Sequence, residues 1–326
     1  MFLLQLPTEL LLCILSYLGP EYFRQDIRRL TVSWQWYDLA WQILVKDIQL
    51  TADSLRKLTQ HDTALKHCQP HVTTVELYFQ GFIDPNVLMR LEFGVMPGDE
   101  DATIIFEWTT QLNSAITSLA AMLQQCPGLR SLKLKTKAEE PELDRLRQGY
   151  LMSKPLADLL SLSQLTSLEL DTVDSYPMSH EDVHLCRSIN SLLPSLKRLR
   201  CRMDSICESL LDLREHDTLL DIEEVILNLS VADGSPTWMG RTLPSRCHHV
   251  PDESDWQVTE DILAQATILC HRLRNPRIVR IIAHERRTYD LYAFDAITGD
   301  RIYLLSHAMW DVDATVVRKQ RPMVLN

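Results

Sequence analysis

The sequence predicts an α/β chain: a short all-helical N-terminal unit, then an irregular solenoid of helix–turn–strand units, closed by a C-terminal β-hairpin. Three observations carry that reading. Helical apolar stripes fill the first forty-odd residues, a short apolar pattern recurs from Val72 onward, and alternating segments flank a Thr298-Gly299-Asp300 turn near the end.

Leu6-Pro7 opens the first helix, since proline's fixed φ and missing N–H suit a first helical turn. Leu10, Leu11, Ile14, Leu15 and Leu18 then follow one stripe, and Gly19-Pro20 stops it. Ile27, Leu30, Thr31 and Trp34 predict a second helix, and Trp36, Leu39, Ala40, Ile43 and Leu44 a third. Three helices this small bury too little surface to stand alone, so they imply a partner. The opening MFLLQLPTELLLCIL is apolar, but no Lys or Arg precedes it, and Gln5, Pro7 and Glu9 interrupt it. With no small-residue cleavage site following, it is not a secretory signal. No run of about eighteen apolar residues occurs, which excludes a helical membrane span. The chain is expected to be soluble and unprocessed.

The length of 326 residues bounds the chain at roughly two domains. A hydrophobic fraction of 45% supplies a sizeable core. The net charge of −11 argues against non-specific nucleic-acid binding, which needs positive charge to displace counterions. Eight cysteines, Cys13 to Cys270, lack paired spacing, so they are expected to be reduced in a cytoplasmic or nuclear protein.

The boundaries follow. Residues 1–46 form the helical unit, 47–66 a linker with one strand and helix, 67–284 the repeats, and 285–326 a hairpin cap and tail. The repeat is apolar-x-x-apolar-x-apolar: Val72/Val75/Leu77, Leu129/Leu132/Leu134, Leu165/Leu168/Leu170, Leu196/Leu199/Cys201, Ile222/Val225/Leu227 and Ile278/Ile281/Ala283. The wider gaps before the second copy and before the last each hold either a further unit or an insertion. Helices are expected over Thr110–Gln125, Lys154–Leu162, Glu181–Leu193, Asp204–Glu215 and Thr259–Arg272, with Pro127, Pro194 and Pro276 as stops. Helix, turn and short strand, repeated, describe units that bury one another's apolar faces. The unrelated alternative is an α/β domain with buried strands.

In a strand, alternate residues point to opposite faces. The outward residues are Thr74, Glu76 and Tyr78; Ser131, Lys133 and Lys135; Ser167, Glu169 and Asp171; Arg198, Arg200 and Arg202. Glu224, Ile226 and Asn228 follow, then Arg280, Ile282 and His284. The three adjacent arginines either receive an acidic or phosphorylated segment, which the planar guanidinium grips through two oxygens, or neutralise Glu169 and Asp171. Two loops stand out: the acidic turn Pro97–Asp101, and the segment Asp233–Trp256 with Trp238, Met239, His248, His249 and Trp256. A loop of that length either serves a function or is disordered.

Sites for chemistry are scarce. Cys201 and Cys207 lie six apart, Cys247-His248-His249 is one cluster, and His180 with His184 has a helical interval, but no regular set of four ligands emerges. No bound metal is expected. Cys186, Cys201 and Cys270 read as small buried apolar residues. No Gly-rich phosphate loop or catalytic signature occurs, so no catalytic residue and no cofactor are expected. An enzyme using Cys247 with His248 or His249 is the outlying alternative.

Two resemblances add to this. Leu6-Pro7-x-Glu9-Leu10-Leu11-x-x-Ile14-Leu15-Ser16-Tyr17-Leu18, with Arg29-Leu30-x-Val32-Ser33-x-x-Trp36, resembles an F-box, and Pro20 to Asp26 resembles the variant common in filamentous fungi. It departs from the pattern at Ser33, where Cys is frequent, and at Leu44-Val45, where Leu-Trp often closes the motif. The strand pattern resembles the irregular leucine-rich repeats found behind many F-boxes, without the Asn that usually follows each strand. The resemblance implies a non-catalytic substrate-recognition subunit of a Skp–cullin–F-box ubiquitin ligase. Its adaptor-binding residues would be Leu6, Pro7, Leu10, Leu11, Ile14, Leu15, Leu18, Ile27, Leu30 and Trp36, with Leu10, Ile14, Leu18 and Trp36 as anchors. An unidentified target protein is expected on Lys133, Lys135, Glu169, Asp171, Arg198, Arg200, Arg202 and Arg280. The alternative is an F-box scaffold that acts without ubiquitination. The expected partners are the Skp adaptor, through it a cullin, and the target, with no nucleic acid and no membrane.

Overall fold

The computed structural model describes residues 6–60, 66–82, 99–137, 149–173, 175, 183–213, 219–231, 243–247, 255–286, 288, 290–304 and 318–319. The N-terminal unit is built from α1 (Thr8–Gln25), a 3-10 turn (Ile27–Leu30) and α2 (Trp34–Leu44). Gly19 breaks α1 as its position predicts: at φ +74° it adopts a backbone that a Cβ disfavours, and the chain resumes as helix at Pro20. The expected second helix shrinks to the 3-10 turn because side-chain caps punctuate the segment at both ends. Asp26 accepts the backbone N–H of Arg28 at 3.1 Å, and Ser33 accepts that of Trp36 at 3.1 Å, so α2 starts at Trp34. The side chain and backbone of Arg28 hold the Asp26 carboxyl below its ordinary pKa. Leu11, Leu15, Phe23, Leu30, Trp36, Leu39, Ala40 and Ile43 close a core of their own.

The rest of the described chain forms a single sheet with strands in sequence order. Strands β1 (Asp47–Thr51), β2 (Thr74–Gln80), β3 (Ser131–Lys137), β4 (Ser167–Asp171), β5 (Arg198–Arg202), β6 (Glu224–Asn228) and β7 (Ile278–His284) run parallel. Strands β8 (Leu291–Asp295), β9 (Arg301–Tyr303) and β10 (Arg318–Lys319) continue it antiparallel, so the sheet is long and mixed. Between the strands lie α3 (Ala52–Gln60), α4 (Asp99–Leu123), α5 (Ser153–Leu160), α6 (Leu185–Leu192) and α7 (Asp255–Cys270). Right-handed crossovers between sequential parallel strands put such helices on one face. Leu112, Ile116 and Leu119 of α4, Leu156 of α5, Ile189 of α6 and Ile262 of α7 share one core with the inward strand residues.

Pairing aligns the repeat. Val75, Leu132, Leu168, Leu199, Val225 and Val279 stand side by side across six strands, and Leu77, Leu134, Leu170, Cys201, Leu227 and Ile281 form a second row. The last copy therefore reads Val279/Ile281, two residues before the Ile281/Ala283 expected from the sequence. An even slip keeps every side chain on its face, so Arg280 and Ile282 still lie opposite the core row. β2 pairs directly with β3, and β6 with β7, so the two wide gaps are insertions between neighbouring strands.

Two differences bear on function. Among the described residues of the helix expected over Asp204–Glu215 there is only a 3-10 turn, Glu208–Leu210, because the backbone ahead of it pairs elsewhere. Ser205 forms a parallel bridge with Ser245, the Ile206 N–H donates to Ser245 O at 2.9 Å, and the Ser245 N–H donates to Asp204 O at 2.8 Å. In the acidic segment Pro97–Asp101, α4 begins at Asp99, while Pro97 and Gly98 lie outside the described residues. So do Trp238, Met239, His248 and His249 of the long loop, whereas Trp256 sits in α7.

Candidate functional site

The N-terminal unit divides the expected adaptor contacts in two. Leu11, Leu15 and Leu30 are fully buried, and Trp36 is only 7% exposed, with its indole N–H donating to Arg29 O at 2.7 Å. Trp36 is therefore a core residue of the N-terminal unit, with little surface left for a partner. Ser33 sets this, since capping at Trp36 N turns that ring inward. Leu6 is half-buried and Pro7 exposed. Leu10 (50% exposed), Ile14 and Leu18 keep apolar surface in solvent, as does Ile27. Sequence reasoning missed Tyr17, Val32 and Trp34, of which Tyr17 is 93% and Trp34 85% exposed. Tyr17 was legible as the i+7 neighbour of Leu10. Trp34 was not, because the predicted second helix gave it an inward place.

The outer face of the sheet is charged at one end and covered at the other. Lys133 Nζ lies 2.7 Å from Glu76 Oε1, and Lys135 Nζ 2.7 Å from Glu169 Oε1. Glu224 receives two arginines, Arg200 Nε at 2.6 Å and Arg198 Nη2 at 3.1 Å. Arg202 Nη1 lies 3.8 Å from Asp171, and its Nε donates to Ser230 O at 2.8 Å. Lys133, Lys135, Arg198 and Arg200 retain accessible surface. Glu169 and Arg202 are only 7% and 8% exposed, so ion pairing and backbone contacts leave them little to offer a target. On β6 and β7 most outward residues are buried: Ile226, Ile282 and Ala293 make a separate apolar cluster, and Ser230 Oγ lies 2.9 Å from His284 Nε2. The expectation that Glu224, Ile226, Asn228, Ile282 and His284 stand on an open face is corrected on that account. Arg280, on β7 opposite Ile226, is half-buried.

A third grouping arises where sequence spacing showed nothing. His184, Cys186, Cys207 and Cys247 bring their ligand atoms within 4.8 Å of one another. His184 is extended, at the N-cap of α6, and His180 lies outside the described residues. Hydrogen bonds from Cys186 and Cys247 pull the Cys207 thiol far below its ordinary range. Sharing with Cys207 and Cys247, together with burial, raises Cys186 well above it. The hydrogen bond to Cys186 lowers Cys247, but the one to Cys207 and burial push it up to about 12. Cys201, in the core row, is fully buried, and burial drives its thiol upward.

Comparison with known proteins bears on the first of these regions. The F-box-like family model matches residues 3–49, the span of the N-terminal unit and its junction with β1. F-box domains are typically non-catalytic adaptors that commonly bind the Skp protein. No curated protein matches the chain. No helix among the described residues is long and apolar enough to cross a membrane.

Proposed function

We propose that this chain is the substrate-recognition subunit of a Skp–cullin–F-box ubiquitin ligase, docking on the Skp adaptor through its N-terminal unit and carrying a target on a leucine-rich-repeat-like sheet. The observation that carries this reading is the division of the N-terminal apolar residues. The unit's own core is already filled by Leu11, Leu15, Phe23 and Trp36, yet Leu10, Ile14, Tyr17 and Trp34 remain in solvent. Each large apolar side chain buried in a complex contributes about 1.5–3 kcal/mol before association costs, so leaving four exposed favours a protein partner. The aligned core rows support the repeat-like reading of the sheet.

In this role the chain performs no bond chemistry. It holds a target beside a conjugating enzyme recruited elsewhere and raises the local concentration of the target lysine. Lys133, Lys135, Arg198 and Arg200 are the charges a target would meet. A carboxylate or phosphate on the target would compete with Glu224 for Arg198 and Arg200, which favours acidic segments whose geometry suits the guanidinium fork.

Co-purification with a Skp adaptor tests the reading. Wild-type chain should retain the adaptor, and Ile14→Asp should lose it at least about tenfold, equivalent to about 1.4 kcal/mol. Equal and poor recovery from both would end the proposal. Adaptor recovered without cullin, and no target whose lifetime depends on the chain, would select the scaffold role instead.

A further inference from the structure

We propose that His184, Cys186, Cys207 and Cys247 form a structural zinc site of the Cys3His type, which staples together the irregular part of the sheet domain. Zinc held at about 2.3 Å by sulfur and about 2.0 Å by nitrogen places ligand atoms about 3.5–3.8 Å apart at ideal tetrahedral corners, a spacing that the separations here bracket. His184 Nε2 lies 3.1 Å from Cys207 Sγ, Cys186 Sγ lies 3.5 Å from Cys247 Sγ, and all four atoms fit within 4.8 Å. The Cys186–Cys247 separation is far beyond the roughly 2.05 Å of a disulfide. Three thiolates and an imidazole are a donor set that suits zinc. The protein supplies all four corners and leaves no open position for substrate, which is the mark of a structural centre.

The ligands sit on backbones that other contacts already hold in place. Cys207 and Cys247 each lie two residues beyond the bridged pair Ser205 and Ser245, whose hydroxyls are 2.9 Å apart. On their neighbours, Arg246 Nη1 meets Glu208 Oε2 at 2.7 Å, and Arg246 also pairs with Asp261 of α7. Asn190 of α6 donates from Nδ2 to Leu210 O at 3.2 Å and Asp212 O at 2.6 Å. That bond ties the helix carrying Cys186 to the turn following Cys207. Three stretches far apart in sequence are thus registered against one another at the point where their donor atoms converge. Among the described residues between β5 and β6 the helical element is a 3-10 turn, Glu208–Leu210, and a metal cross-link spanning residues 184 to 247 would hold it in place.

The site escaped sequence reasoning because its spacing, 184, 186, 207 and 247, has no short-loop signature. Only the fold supplies the convergence. It is separate from the adaptor-docking residues and does not depend on the proposed function.

The test is metal analysis of the full chain, purified reduced, without a polyhistidine tag, and with its adaptor if that aids solubility. About one zinc per chain is expected by plasma mass spectrometry, and a zinc chelator should lower Tm. Cys247→Ser should bring zinc below about 0.1 per chain, whereas Cys270→Ser, outside the cluster, should keep it. If Cys247→Ser fails to fold, chelator-treated wild-type chain refilled with cobalt serves instead: the visible bands of a tetrahedral cobalt–thiolate centre are expected. Zinc-free wild-type chain that takes up no cobalt overturns the proposal. So does full zinc content in folded Cys247→Ser, or a Cys186–Cys247 disulfide in the freshly purified protein.

Discussion

The indole of Trp36 hydrogen-bonds to the carbonyl oxygen of Arg29 at 2.7 Å, closing the N-terminal unit from inside. Trp34 and Trp36 therefore have opposite duties. Trp36→Ala should destabilise the unit by about 3–5 kcal/mol through the cavity it leaves. Trp34→Ala, at an exposed position, should change stability by less than about 0.5 kcal/mol while weakening adaptor binding. Chemical denaturation beside adaptor titration separates the two. A large stability loss in Trp34→Ala would contradict the assignment.

Cys13 offers a built-in reporter of docking. It is exposed on α1, on the stripe of Leu10, Ile14 and Tyr17, while burial pushes Cys126 and Cys270 up to about 11. At about pH 8, a thiol of pKa near 11 is only about one part in a thousand thiolate, so alkylation should mark Cys13 well before either. Bound adaptor should slow that labelling. Unchanged labelling in the complex would mean that docking uses another face.

Asn113 is buried on α4 and bonds in three directions. Its Nδ2 donates to Thr109 O at 2.8 Å and Tyr150 O at 2.7 Å, and its Oδ1 accepts the Met152 N–H at 2.8 Å. Asn113→Leu leaves the Tyr150 carbonyl and Met152 N–H unsatisfied and should cost about 2–4 kcal/mol. Denaturant melts that match wild type would show that these groups find other partners.

Glu224 is the shared acceptor of Arg198 and Arg200, and its side chain is largely buried. Glu224→Ala removes the largely buried carboxylate that Arg198 and Arg200 share and should lose about 3 kcal/mol. Arg198→Ala, whose side chain is about half exposed, should lose less than about 1 kcal/mol, because solvent screens the pair. Comparable losses from both would imply that Arg198 is more deeply enclosed.

Much of this was legible from periodicity. The rows from Val75 to Val225 follow from a pattern whose spacing fixes both face and register, and Gly19 declared its turn through Gly-Pro alone. The rest depends on contacts between distant segments. Nothing near Asp204 announces that its backbone pairs with Ser245, and that pairing replaces the expected helix with a 3-10 turn. The charged face was read correctly as a face, yet its cover over Ile226 and Ile282 comes from tertiary packing, which strand alternation does not encode. The Asn that usually follows such strands is lacking, as the sequence reads, and Asn113 and Asn190 tie neighbouring segments from the helical side.

The join between α2 and β1 is short, with only Val45 and Lys46 between them. Trp41 packs against both cores, Val45 belongs to the sheet core, and the Arg24 guanidinium donates to the Asp47 carbonyl. The two parts consequently turn as one lever, and the sheet's angular phase about the helix axis is set at that hinge-free joint. A single residue added after Leu44 would shift Val45 and Asp47 off their contacts with the sheet core and Arg24, freeing a direction that the short joint otherwise fixes.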